Sequence, residues 1–198
     1  MNISAPAPGF SDDVLESQKS FRTIMNALAH PAQVHPFAAL APACGLLNET
    51  SLAILLTLAD YDSPVWLDHA LAADSRIREL IAFHCGAPIT VNHFEASFCF
   101  VSDPRSMPLL KSFAQGTPEY PDRSATIIIQ AEPSAGGSWR FSGPGLQSPV
   151  AFEFSPAPGG FVEQWQINRA QFPLGVDILV AGTSVVAGLP RSLDLVVE

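Results

Sequence analysis

Residues 125–130 read Ala125–Thr126–Ile127–Ile128–Ile129–Gln130, β-branched from Thr126 to Ile129 with no charged residue alternating into the run. A strand with one solvated face alternates apolar and polar side chains, whereas an uninterrupted run suits a strand covered on both faces. Such a strand needs a layer on either side of its sheet. Upstream, Val65–Trp66–Leu67 follows the turn Asp60–Tyr61–Asp62–Ser63–Pro64 as a short strand, with Trp66 expected in the core. Ala96 to Val101 alternates as another, with Phe98 and Phe100 on one side. Downstream, Trp139–Arg140–Phe141 runs into the turn Ser142–Gly143–Pro144–Gly145. Val176 to Ala181 and Val185 to Leu189 then read as a hairpin through Gly182–Thr183–Ser184.

Helical spacing lies between these strands. Ser11 reads as an N-cap, with Asp12 and Asp13 in the first turn, where acids suit the helix dipole. Val14, Gln18, Phe21, Ile24, Met25 and Leu28 form a stripe at helical spacing that Pro31 closes. From Asn48 to Ala59 a second helix is apolar almost all round, the mark of burial, with Asn48 or Thr50 as its cap. Asp74 caps a third through Ile77, Leu80, Ile81 and Phe83. Ser106 to Ala114 is a short helical stretch ended by Gly116, and Phe161 to Ala170 carries Phe161, Trp165 and Ile167. Helices and strands interleave throughout, so an α/β three-layer sandwich with a mixed sheet is the expected architecture. Residues 1–10, with Pro6, Pro8 and Gly9, read as a flexible N-terminal lead and 11–198 as one domain.

Composition narrows the function. The net charge is −9 and basic residues form no run, which excludes a sequence-independent grip on nucleic acid. Charged residues make up 15% of the chain against about 25% in typical domains, and hydrophobic residues 47%. So sparse a charge is what a chain shows when partners cover part of its exterior, although an Ala- and Pro-rich coding bias gives the same figure. Cys44, Cys85 and Cys99 are an odd number without CxxC spacing, which fits a reducing compartment. The opening MNISAPAPGFSDD has no basic region and no apolar run, and no stretch approaches the ~20 apolar residues of a membrane span. The expectation is a cytoplasmic protein, with no membrane and no nucleic-acid partner.

General catalytic signatures are missing: GxGxxG, the Walker loop, HExxH and GxSxG do not occur. His30, His35, His69, His84 and His93 are scattered, and His84 beside Cys85 is poorly placed for joint chelation, so no metal site is expected. Lys19 falls opposite the first helix's apolar stripe and Lys111 shows no sign of the burial that activates an amine, which disfavours a Schiff base. Arginine's planar fork suits phosphate and phosphonate oxygens. Arg22, at the edge of the first stripe, and Arg191, after Pro190, are therefore candidates for anion binding or an interface. His84, Asp60 and Asp62 complete that set, although a turn cap is the ordinary duty of the two aspartates. No catalytic residue is assigned.

Several blocks follow one another along the chain: Ser20–Phe21–Arg22 with Met25 and Pro31, Leu55–Leu56–Thr57–Leu58–Ala59–Asp60 with Asp62–Ser63–Pro64–Val65–Trp66–Leu67, and Phe83–His84–Cys85–Gly86–Ala87–Pro88. Then come Gly116–Thr117–Pro118, Ala125–Thr126, Gly143–Pro144–Gly145–Leu146, Phe172–Pro173–Leu174–Gly175–Val176–Asp177 and Leu189–Pro190–Arg191–Ser192. In this order they resemble the PhnH family, the H subunit of the bacterial carbon–phosphorus lyase system. The resemblance implies a fold like that of the pyridoxal-phosphate-dependent transferases without the cofactor. It also implies a homodimer that joins subunits G, I and J in a core complex. That complex moves an alkylphosphonate onto ribose C1 of ATP and releases adenine, with ATP or the phosphonate possible at a shared site. Against the family pattern, Ala32 replaces a frequent glycine, Ala82 an arginine, Cys85 a threonine and Ser192 a threonine. The competing expectation is a dimeric regulatory module that binds a small anion without catalysis. A stand-alone hydrolase or transferase lacks any paired nucleophile and base.

Overall fold

The three isoleucines of residues 127–129 divide between two cores, and that division lays out the molecule. The computed structural model describes residues 7–38 and 41–197; the expected flexible lead falls partly outside them, at residues 1–6. Its helices are α1 (Asp13–Ala29), α2 (Glu49–Leu58), α3 (His69–Ala73), α4 (Ser75–His84) and α5 (Phe161–Ala170). The strands are β1 (His35–Pro36), β2 (Val65–Leu67), β3 (Ile89–Thr90), β4 (Phe98–Val101) and β5 (Thr126–Ile129), followed by β6 (Glu132–Ser142), β7 (Val150–Ser155), β8 (Asp177–Ala181), β9 (Val185–Leu189) and β10 (Asp194–Val197). Seven strands form one sheet in the order β1-β9-β8-β5-β4-β2-β3. From β3 to β8 neighbours run parallel, and β9 and β1 add antiparallel pairs, so the sheet is mixed as expected.

Side chains alternate across a strand, so Ile128, Phe100 and Leu179 enter one core while Ile127, Ile129, Cys99, Val101, Ile178 and Val180 enter the other. Helices α1 to α4 cover the first face. The second carries α5 and a three-stranded antiparallel sheet, β10-β6-β7, whose Phe141, Phe152, Phe154 and Leu195 meet Trp165 and Phe161. The result is three layers with the long sheet in the middle. Helix α2 is buried around most of its circumference and capped by Asn48, whose Oδ1 accepts from the Ser51 amide at 2.7 Å. The β8–β9 hairpin, α5, and α4 behind its Asp74 cap also match expectation.

Several expectations need correction. Asp12, not Ser11, caps α1: its Oδ1 accepts from the Leu15 amide at 3.0 Å, while the Ser11 amide donates to Glu16. The stripe of α1 faces outward. Ser20, Ile24 and Ala27 are its buried residues, while Val14 is 76% exposed and Phe21 and Met25 are each 48% exposed. A close approach goes with this: a Cβ on Gly188 of β9 would stand 2.6 Å from the Ala27 carbonyl oxygen, so at that point the helix backbone lies directly on the strand, with the Ser20–Ile24–Ala27 side inward. Trp66 is half-buried, its ring edge-on to His93 and Phe113 on the second face. Phe83 is exposed rather than a core member of α4. The stretch from Ser106 to Ala114 holds a 3-10 turn at Leu110–Ser112, with another just before it at Pro104–Ser106. Strand β6 is far longer than Trp139–Phe141, and β7 and β10 were not anticipated. No helix among the described residues is long and apolar enough to cross a membrane.

Candidate functional site

In open α/β sheets, ligands are usually met at the carboxyl ends of the parallel strands, where loops leave the sheet together. Here those ends present Asp68 after β2, Ser102 and Asp103 after β4, Gln130 after β5, and Gly182 and Thr183 after β8. Their polar groups are largely committed to the fold. Asp68, buried, accepts from the Leu71 amide on one oxygen and from the Ser102 amide and hydroxyl and the Asp103 amide on the other. It caps α3 and ties β2 to β4. Gln130 accepts from the Asn48 amide at 2.5 Å and donates to the Leu46 carbonyl at 2.8 Å, fixing the entry to α2. Glu132 holds the Thr183 amide and hydroxyl at 2.8 and 2.6 Å. Between them a hollow of about 240 Å³ opens on Asn48, Glu49, Thr50, Thr183 and Ser184, with no lysine or arginine on its wall.

The five residues singled out from sequence lie apart. Asp60 and Asp62 share the turn before β2: Asp60 Oδ1 accepts from the Asp62 amide at 3.0 Å and the Ser63 hydroxyl at 2.7 Å. The hydroxyl, then the amide, hold the Asp60 carboxyl below the usual range. This is the cap duty of a turn aspartate. His84 ends α4, with Nε2 3.0 Å from the Ala7 carbonyl oxygen, so the proton sits on Nε2 and the chain at residues 7–9 lies across the ring. Its neighbour Cys85 lies 3.9 Å from the Leu55 carbonyl, and burial pushes its thiol up to about 11, the behaviour of a structural cysteine.

Arg191 is gripped on three sides. Its Nε donates to Asp177 Oδ1 at 3.1 Å, a second guanidinium nitrogen to Asp177 Oδ2, and Nη1 to the Pro121 carbonyl at 2.9 Å. The Arg191 amide also donates to Asp177. Asp177 opens β8, and the block before it explains its placement: buried Asn168 brackets Val176 with two hydrogen bonds, and a Cβ on Gly175 (φ 114°) would strike Asn168 at 2.8 Å. Arg22 differs from all of these. It stands exposed on α1 beside a groove of about 390 Å³ with Thr23, Asn26, His35 and Pro36. Nothing among the described residues pairs with it.

Asp60 and Asp62 are the only two of the five that share a contact among the described residues. Sequence reading missed Asp68, Asp177 and Gln130; an acid directly after an apolar strand was the available signal for Asp68. Among the described residues no three His, Cys, Asp or Glu side chains converge as for a metal ion. Lys19 is on the exposed side of α1, and Lys111 borders a small recess with Leu109, Gln164 and Ile167. Neither amine is at the carboxyl ends of the strands.

The sequence model of the family described as bacterial phosphonate metabolism protein (PhnH) matches residues 8–196. The chain is 37% identical over 187 residues to the alpha-D-ribose 1-methylphosphonate 5-triphosphate synthase subunit PhnH of Rhizobium meliloti (strain 1021), covering 94% of this chain and 93% of that protein. It is 30% identical over 180 residues to a Stutzerimonas stutzeri protein provisionally named C-P lyase subunit protein HtxG, covering 90% of this chain and 85% of the relative.

Proposed function

The chain belongs to the PhnH family of bacterial phosphonate metabolism proteins, and from that premise we propose that it is a subunit of a ribose 1-methylphosphonate 5-triphosphate synthase in the carbon–phosphorus lyase pathway. The reaction joins an oxygen of the phosphonate monoanion to ribose C1 of ATP as the bond from C1 to adenine N9 breaks, and the hydroxyl proton of the phosphonate passes to N9 of the leaving adenine. The observation that carries the reading is the extent of the match, which runs from residue 8 to residue 196 with a relative named as a synthase subunit.

The geometry supports a role inside an assembly. At the carboxyl edge of the sheet the carboxylates are engaged in holding loops: the hydroxyls of Ser102 and Thr183 donate to Asp68 and Glu132, which also accept from the backbone amides of the same loops, so both pairs act as loop caps. We place the chemistry at sites completed by other chains, with subunits G, I and J as the partners, a homodimer as its state alone, and the cytoplasm as its compartment. The finer likeness of the three layers to the pyridoxal-phosphate-dependent transferases, without the cofactor, belongs to the same proposal; both lysines stand away from the edge where a Schiff base would form. So does the single domain over 11–198. Of the two candidate arginines, Arg22 is the one with no partner among the described residues, and it is the anion or interface residue of this reading. The regulatory-module alternative is not favoured by the relatives' names.

The test is co-expression of the full chain with G, I and J, followed by size-exclusion chromatography and an assay of adenine release from ATP with methylphosphonate. The assembly should contain this chain and release adenine only when it is present. Release at the same rate by the isolated chain, or by an assembly lacking it, would refute the proposal.

A further inference from the structure

The stripe that the core leaves uncovered on α1 has a regular form. Val14, Gln18, Phe21, Met25 and Leu28 follow one another at alternating spacings of four and three residues. This is the spacing of a helix–helix seam, in which each side chain drops between those of a facing helix. Leu28 closes one end of the seam against the first core, and Val14, Phe21 and Met25 stand open. From Val14 to Met25 the open seam is roughly 16 Å long, three turns at ~1.5 Å per residue.

Arg22 flanks Phe21 at the edge of this seam. Each of the other seven arginines is engaged within the chain. Carboxylates hold Arg76, Arg105, Arg169 and Arg191, carbonyl oxygens accept from Arg78 and Arg140, and Arg123 lies over the Tyr120 ring. Of the arginines, Arg22 alone has no partner among the described residues, and it borders an apolar helix face that the described residues leave exposed.

We propose that this face of α1 docks an amphipathic helix of another subunit, which packs along Val14, Phe21 and Met25 and sets a carboxylate against Arg22. The inference rests on the reading of the chain as a synthase subunit. A second copy of the chain is the wrong occupant on charge grounds. Two α1 helices paired antiparallel about Phe21, the middle of the stripe, would bring Arg22 against its own mate, and like charges oppose such a contact. Paired in parallel, Arg22 would meet Ser17, which offers no charge. A foreign helix with an acidic residue satisfies both the apolar seam and the guanidinium, and Gln18 within the seam sets its register.

The test uses the full chain co-expressed with subunits G, I and J. Wild type, the double variant Phe21→Glu/Met25→Glu and the single variant Arg22→Glu are compared by size exclusion, with far-UV circular dichroism and melting of each chain alone as the check on folding. The variants should fold as wild type does, and each should lose at least about tenfold in affinity for the assembly, equivalent to ~1.4 kcal/mol. A photo-crosslinking phenylalanine at position 21 of the otherwise unaltered chain should join a helix of G, I or J that carries an acidic residue beside the cross-link. If wild type itself fails to co-elute, the subunit reading falls and this inference with it. If wild type and variants co-elute equally, the inference alone falls. A cross-link to a second copy of this chain overturns the choice of occupant. Should a variant misfold, the cross-link, which leaves the fold intact, decides.

Discussion

Ala32 follows Pro31 with φ 53°, in the left-handed region, while its amide donates to the Gly188 carbonyl at 3.0 Å. That conformation costs a residue with a Cβ about 1–2 kcal/mol. Glycine would remove the cost, but it would also forfeit a buried methyl, ~0.8 kcal/mol, and return about 0.4–1 kcal/mol of entropy to the unfolded chain. The terms nearly cancel, so Ala32→Gly should leave stability within about 0.5 kcal/mol, whereas Ala32→Val, branched at Cβ, should cost about 2 kcal/mol or more in urea unfolding. The left-handed backbone at this position is thus one that glycine also suits. In one sequence it shows only as an alanine after a proline, because φ leaves no trace in residue type. Arg191 teaches a related lesson. Its chemistry was legible, but its partner Asp177 lies 14 residues away on the preceding strand of the hairpin, beyond any local spacing. With side chains 14% and 22% exposed, the pair is partly shielded. Arg191→Ala or Asp177→Ala alone should each cost about 2 kcal/mol, and the double variant should cost clearly less than their sum, by about 1 kcal/mol or more. Strict additivity would mean that the two side chains do not interact.

At the scale of elements, apolar spacing identified α1 but not its inward face. Phe21 and Met25 are the larger hydrophobes, and a reading by residue size turns them to the core. In the structure the other side turns in: at Gly188 of β9 the helix backbone lies directly on the strand, with the Ser20–Ile24–Ala27 side inward. Ile24→Ala should therefore cost about 2–4 kcal/mol, and Phe21→Ala no more than about 0.5 kcal/mol, in thermal or urea unfolding of the chain alone. The reverse order would turn the helix over. The antiparallel sheet on the second face was hard to read for a different reason. Strand β6 contains Pro133 and the pair Gly136–Gly137, both at positive φ, and its register against β7 shifts between Ala135 and Arg140. Glu153 fills the irregularity by accepting from the Ser138 amide and hydroxyl at 2.6 and 3.0 Å. Such a strand shows no clean period of two. In β7 the alternation of Phe152 and Phe154 was a usable signal. Helix α2 was legible because a helix with no polar face has only the interior to occupy.

For the whole molecule, the physical question is whether two cores separated by one sheet behave as one cooperative unit. The first core holds α1 to α4, which dominate the far-ultraviolet circular dichroism. The second contains Trp165, fully buried with Nε1 donating to the Leu193 carbonyl at 3.0 Å, and Trp66 and Trp139 pack against it. All three tryptophans of the chain therefore report on the face opposite the four helices. Strands β4, β5 and β8 give alternate side chains to both cores, so neither core can lose its packing while the other keeps an intact wall. Cooperative unfolding follows from that shared wall. Helix signal and tryptophan fluorescence should trace the same urea transition, with coincident midpoints and slopes. A helix layer that melts first, leaving the fluorescence native, would divide the chain into two units and end the single-domain reading. The four-helix layer carries the open seam of α1, so a bound partner helix should shift both signals together, by RT ln(1 + [L]/Kd) for the free partner concentration [L], and not the helix signal alone.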